Sequence, residues 1–182
     1  MLADLYDTTE DIMADAGLPA YEISNHAGPS EQGRHNLTYW NYGAYAGIGP
    51  GAHGRLVIDG CRVATETIRD PNGWCSATLT QGHGVAEQIA LDDEACRDEL
   101  LVTGLRLATG IPAPRFAAVT GYDVAQLSMA PRVTTLRDEN LVSVDDGRLT
   151  ATAAGRRLLN GVIAEIALDL SWLADQTILG PG

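Results

Sequence analysis

The stretch LVSVDDGRLTA, residues 141–151, predicts a compact β-hairpin. Two short runs, residues 141–144 and 148–151, flank Asp145-Asp146-Gly147, and an Asp-Gly pair suits the positive φ angles of a tight turn. Helical periodicity surrounds the hairpin, at residues 92–108, 115–119 and 124–139 before it and in a last helix that Thr152 can cap. Three helices, a two-stranded wing and a closing helix predict a winged-helix-like module.

The first part of the chain has a different pattern. Residues 1–16 predict an amphipathic helix that ends at Gly17 and Pro19, and residues 20–24 alternate like a strand. Two further strands, residues 54–58 and 61–68, flank an Asp-Gly turn, followed by a loop at 70–73 and a short helix at 74–81. Helical patterns take over at about residue 85, so we expect an α/β fold with two parts, residues 1–84 and 85–182.

Composition excludes several classes of function. The 182 residues include 24 acidic and 12 basic side chains, and the net charge of −12 argues against nucleic acid, whose phosphates require a basic face. No apolar run is long enough to span a membrane. Cys61, Cys75 and Cys96 are too far apart for a zinc or iron–sulfur motif, so we expect buried, reduced thiols in a cytoplasmic protein.

Two neighbouring segments carry most of the potential chemistry: RHNLTYW at residues 34–40 and GIGPGAHG at residues 47–54. The imidazole of His35 can bind iron, and the rings of Tyr39 and Trp40 can stack on a flat macrocycle. A loop histidine bonded to nearby backbone is the alternative. Glycines at 47, 49 and 51 allow a backbone to approach a ligand, although they serve turns equally well. Residues 26–54 lack periodicity, which predicts a loop over a site.

Three further sets of residues belong with these segments: PAYEISNHA at residues 19–27, GLRL at 104–107, and the LT, GR and LN pairs between 149 and 160. Together they strongly resemble the HemW/HemN group of radical SAM proteins. The group comprises oxygen-independent coproporphyrinogen III oxidases and their heme-chaperone relatives. The resemblance implies that residues 1–84 are the C-terminal remnant of a radical SAM partial (β/α) barrel. Residues 85–182 would be the HemN-type C-terminal domain.

The resemblance also assigns roles to residues. The His-Asn-x-x-Tyr-Trp pattern points to the heme-chaperone branch, with His35 as the candidate heme-iron ligand. Asn36, Tyr39 and Trp40 would complete a heme pocket. A second set would face S-adenosyl-L-methionine (SAM): Gly47, Gly49, Gly51, Ala52 and His53. The partners implied are heme, heme-acceptor proteins and the N-terminal portion of the barrel.

The CxxxCxxC motif and the GGGTP-like SAM loop of the group precede the matched region and are absent from these 182 residues. We therefore expect the C-terminal part of a longer protein, with SAM and a [4Fe–4S] cluster in the full-length parent only and no catalytic residue here. The predicted function is heme binding and delivery to acceptor proteins. One alternative is an oxygen-independent coproporphyrinogen III oxidase of porphyrin and heme biosynthesis, and another is a cofactor-free interaction fragment.

Overall fold

The first helix and its end confirm the sequence prediction. The computed structural model describes residues 2–179, with side chains from residue 4 to residue 176. Helix α1 (Leu2–Asp15) is followed by Gly17 with φ 78°, a left-handed conformation that glycine adopts without steric cost. The amide of Leu18 donates to the carbonyl of Met13 at 2.9 Å, which closes the last turn.

Two predictions for the next segment were wrong. The strand expected at residues 20–24 ends earlier, because β1 (Ala20–Glu22) turns back and pairs with β2 (Asn25–His26). The loop expected at residues 26–54 contains the helix α2 (Arg34–Trp40). Gly33 precedes this helix and supplies no side-chain cap, and a helix of this length has little room for an apolar period. The sequence therefore carried almost no signal for it.

A three-stranded antiparallel sheet follows. The predicted hairpin is confirmed as β3 (His53–Ile58) and β4 (Cys61–Thr67), with φ angles of 50° at Asp59 and 81° at Gly60. The loop predicted at 70–73 was wrong because α3 (Pro71–Gln81) begins there. The carboxylate of Asp70 accepts the amide of Gly73 at 2.6 Å and caps that helix.

The third strand of this sheet, β5 (Val85–Ala90), lies where the helical part was expected to begin. It pairs antiparallel with β4, so the prediction of helical structure from residue 85 was wrong for these six residues. The sheet extends to residue 90, six residues beyond the division proposed from sequence. That division, between residues 1–84 and 85–182, stays a prediction.

The remaining elements alternate helices and short strands: α4 (Asp93–Gly104), β6 (Ile111–Pro112), α5 (Ala113–Thr120), α6 (Val124–Ser128), α7 (Pro131–Asp138), β7 (Val142–Asp145), β8 (Arg148–Ala151), α8 (Ala153–Arg157) and α9 (Leu159–Leu179). Three predicted helices differ in extent. The helix at 92–108 ends at Gly104, the helix at 124–139 is divided before Pro131, and the last helix is divided at Leu158. Proline lacks the amide hydrogen that a continuous helix needs at that position.

The hairpin predicted at residues 141–151 is confirmed, with Asp146 and Gly147 at φ 50° and 68° in its turn. The winged-helix-like module of which it would be the wing stays a prediction. The structure adds a third strand that the sequence did not predict, because β6 pairs with β8 and gives the order β6-β8-β7. Thr152 accepts the amide of Gly155 at 3.0 Å and so caps α8 as expected.

The main core lies mostly among residues 100–170 and includes one face of the β7–β8 hairpin, where Val142 and Leu149 are buried. Its fully buried side chains include Leu100, Leu101, Leu105, Phe116, Leu127, Leu149 and Ile166. Tyr42 is the member contributed by the first part of the chain. The predicted α/β class is confirmed. The prediction of buried cysteines was wrong, since Cys61 and Cys75 are exposed and Cys96 is half-buried.

Candidate functional site

Helix α2 presents two of the predicted heme-site residues on one side. His35 and Tyr39 are four residues apart, which brings their side chains to the same face of a helix. The imidazole of His35 is exposed and meets Tyr45 edge-on, with 6.3 Å between ring centroids and 68° between planes. Tyr39 lies 5.5 Å from the same ring. Tyr45, which the sequence analysis did not single out, therefore joins the two.

The other two predicted residues face inward. Trp40 is edge-on to Tyr39 at 4.5 Å, and the guanidinium of Arg106 lies 4.6 Å from the centroid of the Trp40 ring. The indole nitrogen is buried and has no hydrogen-bond partner among the described residues. Asn36 donates to the hydroxyl of Tyr21 at 3.1 Å. Asn36 therefore ties α2 to β1 rather than extending the surface around His35.

A buried carboxylate holds Arg106 against Trp40. Glu22 is fully buried, and one carboxylate oxygen accepts from the amide and hydroxyl of Ser24, each at 2.8 Å, and from Asn25 at 2.6 Å. The other oxygen accepts two hydrogen bonds from Arg106, at 3.0 and 3.1 Å. Burial alone would raise the pKa of the Glu22 carboxyl, but these hydrogen bonds outweigh it and lower the pKa below its ordinary value.

The glycine-rich loop is anchored by its own sheet. The buried hydroxyl of Thr67 donates to the carbonyl of Gly49 at 2.5 Å and accepts the amide of Ala52 at 2.8 Å. The amide of Gly51 donates to Ile68 at 3.0 Å. At Gly47 a Cβ would lie 2.5 Å from the carbonyl oxygen of His53, so only glycine fits there. Close packing thus accounts for Gly47, whereas Gly49 and Gly51 have positive φ angles of 105° and 66° that favour glycine.

The structure brings the predicted residues together only in part. His35, Tyr39 and Trp40 form one aromatic cluster with Tyr45. No hydrogen bond or ring contact among residues 2–179 joins this cluster to residues 47–53. His53 begins β3, is exposed and lies opposite Glu66 in the sheet register. The SAM-facing role of residues 47, 49, 51, 52 and 53 therefore stays a prediction.

A cleft of about 280 Å³ adjoins the aromatic cluster, with Tyr39 and Tyr45 in its wall. Its charges are largely compensated, because Glu99 pairs with Arg55 at 2.6 Å and lies 3.7 Å from Arg62. The guanidinium of Arg62 lies 3.5 Å above the centroid of the buried Tyr42 ring, and burial raises the pKa of the Tyr42 hydroxyl. Sequence spacing carried no signal for these pairings.

The residues around His35 fit a heme as a single-ligand site. The imidazole is exposed and forms no hydrogen bond with any residue in the described part of the chain, so one ring nitrogen is free to bind iron. The rings of Tyr39 and Tyr45 offer apolar surface beside it. A [4Fe–4S] cluster does not fit, since the described residues contain no group of three His, Cys, Asp or Glu side chains able to hold a metal.

The arginines that could have formed a nucleic-acid face are engaged internally. Arg115 donates to the carbonyl of Tyr42 at 3.1 Å, Arg137 donates to the carbonyl of Ser128 at 3.3 Å, and Arg132 pairs with Glu165 at 2.5 Å. Of these three, Arg132 is paired with a carboxylate, whereas the carbonyl partners of Arg115 and Arg137 orient their side chains and leave their charges uncompensated. No helix within residues 2–179 is long and apolar enough to cross a membrane.

Comparisons with known proteins agree with the resemblance found in the sequence. Residues 91–158 match the family model of the HemN C-terminal domain. Radical S-adenosyl methionine domain-containing protein 1, mitochondrial, of Bos taurus is 28% identical over 174 residues, which are 91% of this chain and 39% of that protein. The heme chaperone HemW of Mycobacterium tuberculosis is 31% identical over 159 residues, covering 87% of this chain and 40% of HemW.

A solved structure supports the fold. Coproporphyrinogen III oxidase (HemN) of Escherichia coli, a radical SAM enzyme, superposes with a TM-score of 0.56 at 17% identity, over 92% of this chain and 40% of HemN. The chain thus spans about two fifths of the length of these relatives. The chain is therefore similar to radical SAM proteins. Within that class, its resemblance to the C-terminal part of the HemW/HemN group is confirmed.

Proposed function

We propose that this chain is the C-terminal part of a HemW-like heme chaperone, which binds heme through His35 and delivers it to acceptor proteins. The observation that carries the proposal is the exposed imidazole of His35 beside Tyr39 and Tyr45. The similarity to HemW over 87% of the chain supports it. In this proposal His35 binds the iron, while Tyr39 and Tyr45 pack against the macrocycle and exclude water from that side.

The two parts of the chain would have different tasks. Residues 1–84 would be the remnant of the radical SAM barrel, including the loop that faces SAM in the full-length parent. Residues 85–182 would form a winged-helix-like lid over the barrel mouth, an interpretation supported by the order of α4, β6, α5, α7, β7 and β8. The iron–sulfur cluster and SAM would belong to the parent, and no step of their chemistry is assigned to these residues.

A hemin titration tests the proposal. Addition of hemin to the chain should give a saturable shift of the Soret band, and His35→Ala should abolish that shift while leaving the fold intact by circular dichroism. His83→Ala is the matched control, because His83 is also exposed but lies between Gly82 and Gly84, in the loop after α3. A Soret shift that is unchanged in His35→Ala would overturn the assignment. An unchanged spectrum in the wild-type chain would favour the cofactor-free interaction fragment.

The second candidate is an oxygen-independent coproporphyrinogen III oxidase of porphyrin biosynthesis. The fold likeness to HemN over 92% of the chain favours it. Turnover of coproporphyrinogen III by a longer protein that contains this chain and a reconstituted cluster would support the oxidase. Hemin binding through His35 without such turnover would support the chaperone.

The location of the protein in the cell is a further part of the proposal. The sequence predicts a cytoplasmic protein, and similarity to bacterial HemW supports that proposal. The similar protein from Bos taurus carries "mitochondrial" in its name. Fractionation of cells that produce the present protein therefore tests the proposed location. Recovery in an organelle fraction would contradict the proposal.

A further inference from the structure

A cavity of about 570 Å³ lies away from the aromatic cluster, between the turn of the β1–β2 hairpin, α7 and the α8–α9 junction. Its volume is typical of pockets that hold small molecules. Much of its wall is aliphatic, with Ile23, Leu136, Leu141 and Leu159 among the contributors. The cavity can therefore bring an apolar group into contact with aliphatic side chains.

The charges around this cavity leave one positive charge uncompensated. Three of the charged side chains in its wall are held in ion pairs: Arg106 with Glu22 at 3.0 Å, Arg157 with Asp7 at 2.8 Å, and Glu165 with Arg132 at 2.5 Å. Arg156 also lines the cavity, and its side chain forms no ion pair and no hydrogen bond with any residue from 2 to 179. Its guanidinium is half-buried and lacks a counter-ion.

The accessible part of the Arg156 side chain is what a ligand can meet. Its Nε atom is inaccessible to solvent and has no hydrogen-bond partner within the described chain. The residue as a whole is half-buried and lines the cavity. The terminal N–H groups of the guanidinium are therefore the donors that an oxygen acceptor in the cavity would use.

We propose that this cavity binds a small amphipathic carboxylate, with the carboxylate at Arg156 and the apolar part against the aliphatic wall. A guanidinium offers paired N–H groups to a carboxylate and forms strong, charge-assisted hydrogen bonds with it. The apolar wall adds the burial that a purely inorganic anion would not gain. The proposal does not require heme binding: none of the residues of the aromatic cluster lines this cavity, and the two places are linked through Arg106, which lines the cavity and contacts the Trp40 ring.

The net charge of the chain makes the proposal specific. At −12 the protein repels anions in general, so an amphipathic carboxylate should bind only where a local positive charge is uncompensated. Octanoate is a suitable probe because it has one carboxylate and a short aliphatic chain. 1-Octanol has the same chain without the charge, and acetate has the charge without the chain.

Isothermal titration of the 182-residue chain with these three compounds tests the proposal. We expect saturable binding of octanoate, at least tenfold weaker binding of octanol and no measurable binding of acetate. Arg156→Gln should weaken octanoate binding at least tenfold. Arg137→Gln is the matched control, because Arg137 donates to Ser128 and does not line the cavity. Octanoate binding that is absent from the wild type, or equal in Arg156→Gln, would overturn the proposal.

A variant at the rim keeps the test decisive if the buried substitution perturbs folding. Leu158 lines the cavity with 59% of its surface exposed, so polar residues are tolerated there. Leu158→Glu places a negative charge at the entrance and should weaken octanoate binding several-fold, whereas the neutral Leu158→Gln should not. Equal binding by the two variants would contradict a carboxylate at this place.

Discussion

Replacement of the buried Glu22 by Gln should destabilise the protein substantially. The carboxylate accepts hydrogen bonds from Ser24, Asn25 and Arg106 and is itself inaccessible to solvent. Glutamine has almost the same shape, but it removes the charge and turns one acceptor oxygen into a donor. The guanidinium of Arg106 would then lack its counter-ion. The new NH₂ group would face either the donors of Ser24 and Asn25 or those of Arg106.

The expected size follows from the burial of the two partners. Removal of one partner of a buried ion pair costs about 3–5 kcal/mol. The side chain of Arg106 is 29% exposed, so water can partly solvate its charge and the lower end applies. We therefore expect Glu22→Gln to lower the free energy of unfolding by about 3 kcal/mol, which corresponds to a Tm about 6–12 °C lower for a domain of this size.

The loss should also depend on pH. A carboxyl whose pKa is lower in the folded than in the unfolded state adds stability above the unfolded pKa, and that stability is lost as pH falls through the folded pKa. For Glu22 the ordinary value is 4.5 and the folded pKa lies below it. The stability difference between wild type and Glu22→Gln should therefore be full near neutral pH and shrink as pH is lowered below 4.5.

Urea denaturation at several pH values measures both effects. Glu66→Gln is the matched control, since Glu66 also pairs with an arginine, Arg69, but that arginine is 79% exposed. The control should change the unfolding midpoint much less than Glu22→Gln does. A neutral Glu22→Gln variant, or a difference that persists unchanged in acid, would refute the reasoning about the buried pair.

Two further predictions concern packing. Thr67→Val removes the hydroxyl that holds Gly49 and Ala52. We therefore expect the free energy of unfolding in urea to fall by about 1–2 kcal/mol and the amide of Ala52 to exchange faster. Unchanged exchange at Ala52 would contradict the anchoring role of Thr67. Gly155→Ala would drive a Cβ into the carbonyl of Leu141 and lower the free energy of unfolding by about 3 kcal/mol. A Cβ at Gly161 meets nothing within 4 Å, so Gly161→Ala should stabilise α9 by about 0.5–1 kcal/mol. Equal unfolding midpoints of the two variants would contradict this.

Local chemistry explains what could be predicted from the sequence. The Asp-Gly pairs at 59–60 and 146–147 demand positive φ, and both hairpins formed where they were expected. Thr152 and Gly17 likewise marked helix ends. These signals lie within a few residues of the structure that they predict, so tertiary context does not alter them.

The missed features depend on distant contacts. Strand β5 is defined by its pairing with β4 across α3. Helix α2 has no side-chain N-cap, and its contacts with the rest of the chain include the hydrogen bond of Asn36 with Tyr21 and the ring contact of Tyr39 with Tyr45. In the candidate site, His35, Tyr39 and Trp40 were identifiable from a motif. The Glu22–Arg106 pair joins residues 84 positions apart, which no local pattern indicates. The same holds for Tyr45, whose ring reaches His35 only after the chain folds.

The most direct test of the central claim is chemical rescue of the proposed iron ligand. Ferric heme bound to the wild-type chain should show the absorption and electron paramagnetic resonance signals of histidine ligation, and His35→Ala should lose them. Added imidazole should restore them in the variant, because it can occupy the place of the missing side chain. Identical spectra of the wild type and His35→Ala before imidazole is added would contradict the account.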